Sequence, residues 1–78
     1  MKFDVIYYSS TQHVLASETK EFESASDAEA FAMTLLTNER YYTIRSGAKM
    51  HVIHLALVSK IELIDRAKQE ENLVLDIL

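Results

Sequence analysis

Residues 24–38 read SASDAEAFAMTLLTN, and their spacing predicts the helix around which the rest of the chain is arranged. Ser26, Asp27, Ala28 and Glu29 spell an S-x-x-E capping box. In such a box the Ser26 hydroxyl accepts from the Glu29 N–H, and the Glu29 carboxylate reaches back to the Ser26 N–H. Asp27 adds negative charge at the positive end of the helix dipole. Ala28, Phe31, Ala32, Leu35 and Leu36 then fall at i, i+3, i+4, i+7 and i+8, the spacing of one buried stripe. Asn38 can end the helix in the left-handed conformation that usually favours Gly.

Outward from the helix, the pattern turns to alternation. Lys2–Tyr8 reads as a strand with Phe3, Val5 and Tyr7 on one face and Lys2, Asp4, Ile6 and Tyr8 on the other. The polar run Ser9–Gln12 suits a turn. His13–Phe22 returns as the second arm of a hairpin, with Val14, Ala16 and Phe22 inward and His13, Ser17, Thr19 and Glu21 toward water. Its polarity suits a sheet edge, where charge deters pairing with other chains.

Beyond the helix, Arg40–Ser46 is a strand. Tyr42 and Ile44 point inward while Tyr41, Thr43 and Arg45 point out, or the reverse. The turn Ser46–Lys49 is built on Gly47, the one glycine in the chain. From Met50 onward two periods compete. A helix would align Met50, Ile53, Leu57, Ile61 and Ile64, but would leave Val52, Leu55, Ala56 and Leu63 on its opposite side. Alternation through Leu63 favours strand, broken near Ser59 into Met50–Leu57 and Lys60–Asp65. Asp65 can cap a last helix over Arg66–Ile77; the alternative for that end is a short strand, LVLDIL.

The expected architecture is therefore α+β and a single domain over residues 1–78. It comprises an N-terminal hairpin, an amphipathic helix across a mostly antiparallel sheet, two to three further strands, and a C-terminal helix. The expected core is Phe3, Val5, Val14, Phe22, Phe31, Leu35, Leu36, Ile44, Ile53, Leu55, Ile61 and Ile64.

Composition narrows the function classes. A chain of 78 residues has a thin margin of buried surface, and without cysteine no disulfide or thiolate metal site can add to it. Lack of cysteine also excludes a Cys nucleophile and fits a reducing, cytoplasmic setting. No run of about 18 apolar residues suggests a transmembrane helix, and the N-terminal residues make a poor signal peptide. The net charge of -4 weighs against nonspecific binding to nucleic acid or an anionic membrane. Its distribution is uneven. Arg40, Arg45, Lys49 and Lys60, with two histidines, occupy a window free of acids, while Asp and Glu gather on both sides.

Catalytic constellations are lacking. His51 and His54 form an H-x-x-H, but a strand turns their rings to opposite faces, and no third ligand is announced. A single glycine rules out a G-x-G-x-x-G turn or a P-loop. The carboxylate pairs sit in segments that read as exposed. The expectation is a non-enzymatic module with no metal and no cofactor.

Binding surfaces remain. Tyr8, Arg40, Tyr41, Thr43, Arg45 and Lys49 are the candidate partner-binding residues, because Tyr and Arg concentrate at interface hot spots. Against this stands the plain structural account, in which Tyr7 and Tyr42 are core and the arginines offset nearby acids. The leading expectation is a protein partner. A second copy of the chain is a further candidate, suggested by Leu73, Val74, Leu75, Ile77 and Leu78 near the C-terminal end. The mixture of cations and rings would also suit single-stranded nucleic acid. A third reading takes the acidic run Glu18–Glu29 as a mimic that acts on a basic partner.

Overall fold

Phe3, Val5 and Tyr7 alternate with more polar neighbours, and that period of two makes Lys2–Tyr8 a strand with one face to bury. In the computed structural model, which describes residues 1–37 and 40–68, this strand is the centre of the molecule. The elements in order are β1 (Lys2–Tyr8), β2 (Val14–Glu21), α1 (Ala25–Thr37), β3 (Tyr41–Ser46), β4 (Lys49–His54), a 3-10 turn (Leu55–Leu57) and β5 (Lys60–Asp65). The fold is α+β with two antiparallel sheets, one of three strands in the order β2-β1-β5 and one formed by β3 and β4. Phe3, Val5 and Tyr7 are 5%, 0% and 0% exposed, and β2 takes the edge position that its charge suits.

Two sheets stand where one was expected, because the chain turns sharply after β4. Leu55 and Val58 are both buried, yet they are three residues apart. A strand would send them to opposite faces, whereas a 3-10 turn stacks i over i+3. Leu55 N–H donates to Arg40 O at 2.9 Å and Val58 N–H to Leu55 O at 3.0 Å. Ser59 N–H then donates to Tyr8 O at 2.9 Å, which hooks the chain onto β1 and starts β5. The break thus falls at Leu55 rather than near Ser59.

Both sheets and α1 share one core. A continuous series of rings runs through it: Phe3 to Phe22 (5.9 Å between centroids), Phe22 to Phe31 (5.4 Å), Phe31 to Tyr42 (5.6 Å) and Tyr42 to Tyr7 (5.8 Å). Edge-on and tilted ring pairs of this kind add about 0.5–1.5 kcal/mol each beyond the area they bury. Leu35, Ile44, Ile53 and Leu55 join them, with Phe22, Phe31 and Ile61 half-buried against the same cluster.

Two expected core residues are on the surface. Val14 is 57% exposed because β2 carries a bulge opposite Tyr7 and Tyr8. Tyr7 pairs with Ala16 and Tyr8 with Val14, so Leu15 is the extra residue and everything before it changes face. Leu36 is 46% exposed because the stripe that α1 buries is narrow. At about 100° per residue, Phe31, Leu35, Ala28 and Ala32 lie within roughly 100° of arc, and Leu36 falls about 40° beyond its Ala32 edge.

The helix also begins one half-turn earlier than the S-x-x-E box implies. Asp27 N–H donates to Ser24 Oγ at 3.2 Å and Ala28 N–H to Ser24 O at 3.2 Å, so Ser24 is the cap and Ser26 lies inside the first turn. Both serines precede an acid by three positions, and the earlier one gives the longer helix. Ser24→Ala should therefore cost about 1 kcal/mol, while Ser26→Ala stays near neutral. Thermal melts of the two variants check this, and the reverse order would restore Ser26 as the cap.

At the hairpin turn Gly47 has φ +59, and Ser46 pairs with Lys49 across a two-residue loop. Asp65 Oδ1 accepts from Ala67 N–H at 3.0 Å, the bond expected of a cap. Asn38 as helix stop, and the C-terminal helix beyond Lys68, lie outside the described residues.

Candidate functional site

The register of the β3–β4 hairpin decides which side chains share a face. Tyr41 lies opposite His54, Thr43 opposite Val52, and Arg45 opposite Met50. Those six side chains form the outer face. The inner face carries Tyr42, Ile44 and Ile53, and it packs into the core.

That inner face is anchored by polar contacts as well as rings. Tyr7 Oη donates to Glu18 Oε2 at 2.7 Å. Burial first, and then this hydrogen bond to a carboxylate, push the Tyr7 phenol well above its ordinary range. Tyr42 is raised as well, by burial first and then by the neighbouring Glu18 carboxylate. Glu18 of β2 thus accepts from Tyr7 and lies close enough to Tyr42 to act on its phenol. The hairpin is held as a platform whose outer face remains open.

On that face Tyr41, Met50 and Val52 are 59%, 56% and 62% exposed. The Tyr41 ring stacks on His54 with centroids 4.9 Å apart and planes at 21°. Arg40 stands at the open end of the hairpin and Lys49 at its turn, both exposed, as is Arg45. The ion pairs among the described residues lie elsewhere, at Met1–Glu21 and Asp4–Arg66, so these three cations have no carboxylate partner among the described residues. Apolar surface, a ring pair and unpaired positive charge occur together.

The structure brings Arg40, Tyr41, Thr43, Arg45 and Lys49 onto this hairpin, but not Tyr8. Tyr8 sits on β1, where its hydroxyl donates to Glu62 Oε1 at 2.9 Å and Lys60 Nζ lies 4.3 Å from its ring centroid. The hydrogen bond to Glu62 raises its phenol above the ordinary value. Both its polar and its aromatic functions are engaged within its own sheet, so Tyr8 stands apart from the candidate set on the hairpin. Met50, Val52 and His54 enter it. The signal for them was present in the sequence, since a two-residue turn at Gly47-Ala48 fixes which residues of β4 face Arg45, Thr43 and Tyr41.

Other candidate chemistry is dispersed. His51 and His54 are on opposite faces of β4, and the described residues contain no group of three or more His, Cys, Asp or Glu placed to hold a metal. The acids of the Glu18–Glu29 run point in different directions. Glu18 meets Tyr7, Glu21 approaches the Met1 ammonium, and Asp27 lies in the first turn of α1. Among the described residues no helix is long and apolar enough to cross a membrane. Comparison with family models, curated proteins and solved structures found no match for this chain.

Proposed function

We propose that the chain is a small non-enzymatic interaction module that holds a protein partner against the outer face of the β3–β4 hairpin. The observation that carries this reading is the exposure of Tyr41, Met50 and Val52 beside three cations that have no acid partner among the described residues. Tyr and Arg give large contact area at small entropic cost, and exposed cations steer an acidic partner toward the face. The lack of cysteine supports a cytoplasmic setting. Self-association is the simplest form that such binding could take, and sedimentation over a range of concentrations measures it.

The test pairs wild type with a Tyr41→Ala/Arg45→Ala double variant in affinity capture from the native cell. Both side chains are exposed, so the variant should melt like wild type. Captured partner should fall by roughly tenfold or more, the effect of losing one hot-spot contact. Equal capture by both proteins would refute the hairpin as the binding face.

The stacked Tyr41–His54 rings among exposed cations give one observation in favour of single-stranded nucleic acid. Anisotropy of labelled oligonucleotides is expected to show binding only at low salt. Binding that survives physiological salt, and disappears when Arg40, Arg45 and Lys49 become Ala, would replace the protein reading.

A further inference from the structure

We infer that the free edge of β4 takes up an extended peptide, with acidic residues alternating with apolar ones, as an added β-strand. The inference rests on the hairpin being the binding surface and specifies how it binds. Among the described residues β4 is paired with β3 alone. Antiparallel pairs alternate between those that exchange both backbone hydrogen bonds and those that exchange none. Leu55 N–H donating to Arg40 O identifies the first kind, so Tyr42/Ile53, Ile44/His51 and Ser46/Lys49 belong with it. The N–H and C=O of Met50, Val52 and His54 consequently point away from β3, on the side where β2 approaches β4.

A groove runs along that edge. It has a volume of about 350 Å³ and is lined by five consecutive residues, Met50 to His54, together with Leu15 and Leu57. Consecutive residues belong to both faces of a strand, and only a groove along the edge can touch them all. Leu15 is the bulge residue of β2, and Leu57, 62% exposed, comes from the 3-10 turn. The groove offers hydrogen-bonding groups along one wall and apolar side chains around it, the combination used in β-strand addition.

Edge protection is uneven across the molecule. β2 carries Glu18, Lys20 and Glu21 along its length, whereas β4 has Lys49 at the turn and then Met50, His51, Val52, Ile53 and His54. An edge that is apolar, lacks proline and has charge only at its end invites a partner strand. Charge selects among partners. A second copy paired edge to edge would bring Arg45 and Lys49 against strands β3 and β4 of its neighbour, which carry no acid, while an acidic peptide would meet those cations favourably. Nucleic acid would use the rings and cations but leave the row of N–H and C=O groups idle.

The test uses two acetylated, amidated octapeptides, one alternating Glu with Val and the other Lys with Val, titrated into the full chain labelled with ¹⁵N. With the Glu-Val peptide, the Met50, Val52 and His54 amides should shift and exchange with solvent roughly tenfold more slowly. The Lys-Val peptide should leave them unchanged. Val52→Pro removes an outward donor at an edge position where proline is tolerated, and it should abolish binding. Arg45→Glu/Lys49→Glu should reverse the preference to the Lys-Val peptide, and this variant decides the matter alone if Val52→Pro melts early.

Unchanged amides at millimolar Glu-Val peptide would overturn the inference. So would a double variant that keeps the Glu-Val preference. If the shifts are confined to Tyr41, Thr43 and Arg45 and survive Val52→Pro, strand addition fails while the hairpin stands as a binding face. Protection of Met50 and Val52 that grows with protein concentration alone would assign the edge to a second copy instead.

Discussion

Tyr7→Ala is expected to leave the protein largely unfolded at room temperature, even though Tyr7 is a single residue on a seven-residue strand. Its side chain is fully buried at the centre of the core and closes the series of rings at Tyr42. Truncating a large aromatic side chain to Ala costs about 3–5 kcal/mol through lost burial and the cavity left behind. The hydroxyl is missing as well, so the half-buried Glu18 carboxylate loses a donor at about 1–3 kcal/mol. Stability for a chain of this length is about 4–12 kcal/mol in total, so the combined loss removes most of it. Tyr7→Phe keeps the ring and forfeits the hydrogen bond, and it should remain folded with a loss of about 1–3 kcal/mol. Urea denaturation followed by circular dichroism separates the two variants. A Tyr7→Ala midpoint close to wild type would show that β1 is not the centre of the core.

Much of this architecture was legible in the sequence because it depends on short-range periodicity. The alternation Phe3-Val5-Tyr7 needs no partner to be read, and neither does Tyr42-Ile44 or the turn at Gly47. The strand Lys60–Asp65 also emerged with its observed bounds. What escaped was set by relationships between elements. Val14 fits the alternation of β2, but the bulge at Leu15 is a matter of register against β1 and leaves no local mark. Leu36 fits the helical stripe, yet the core beneath α1 takes up the arc from Phe31 to Ala32 and stops short of it. Ser24 and Ser26 offer two equivalent caps, and the choice between them depends on where the chain leaves β2. The same division holds at the candidate site. Tyr41, Thr43 and Arg45 were visible as one side of a strand, and the core around Ile44 and Tyr42 is what turns that side outward. Tyr8 was indistinguishable from them until Glu62 and Lys60, far away in sequence, were seen to engage it.

Alkaline pH should destabilise the fold more steeply than mutation of any exposed residue, and Tyr7 should be the chief cause. In the unfolded chain a tyrosine ionises near pH 10. In the fold, burial and the hydrogen bond to Glu18 hold the Tyr7 phenol protonated well above that point, and Tyr42 behaves alike. The native state therefore retains protons that the unfolded state releases, and the linkage slope is negative above pH 10. Stability is complete below the unfolded pKa and declines as pH rises beyond it. The decline from Tyr7 alone is about 1.4 kcal/mol for each pH unit, with a smaller, solvent-screened addition from half-buried Tyr42. Urea midpoints measured between about pH 8 and pH 11 test this directly. Wild type should begin more stable than Tyr7→Phe and lose its lead as pH climbs, because the variant has no phenol to titrate at that position. Parallel decline of the two proteins would mean that Tyr7 is not held protonated by its surroundings. Convergence would tie the alkaline transition to the buried Tyr7 phenol and its hydrogen bond to Glu18, at the point where the Tyr7 and Tyr42 rings join β1 to the β3–β4 hairpin.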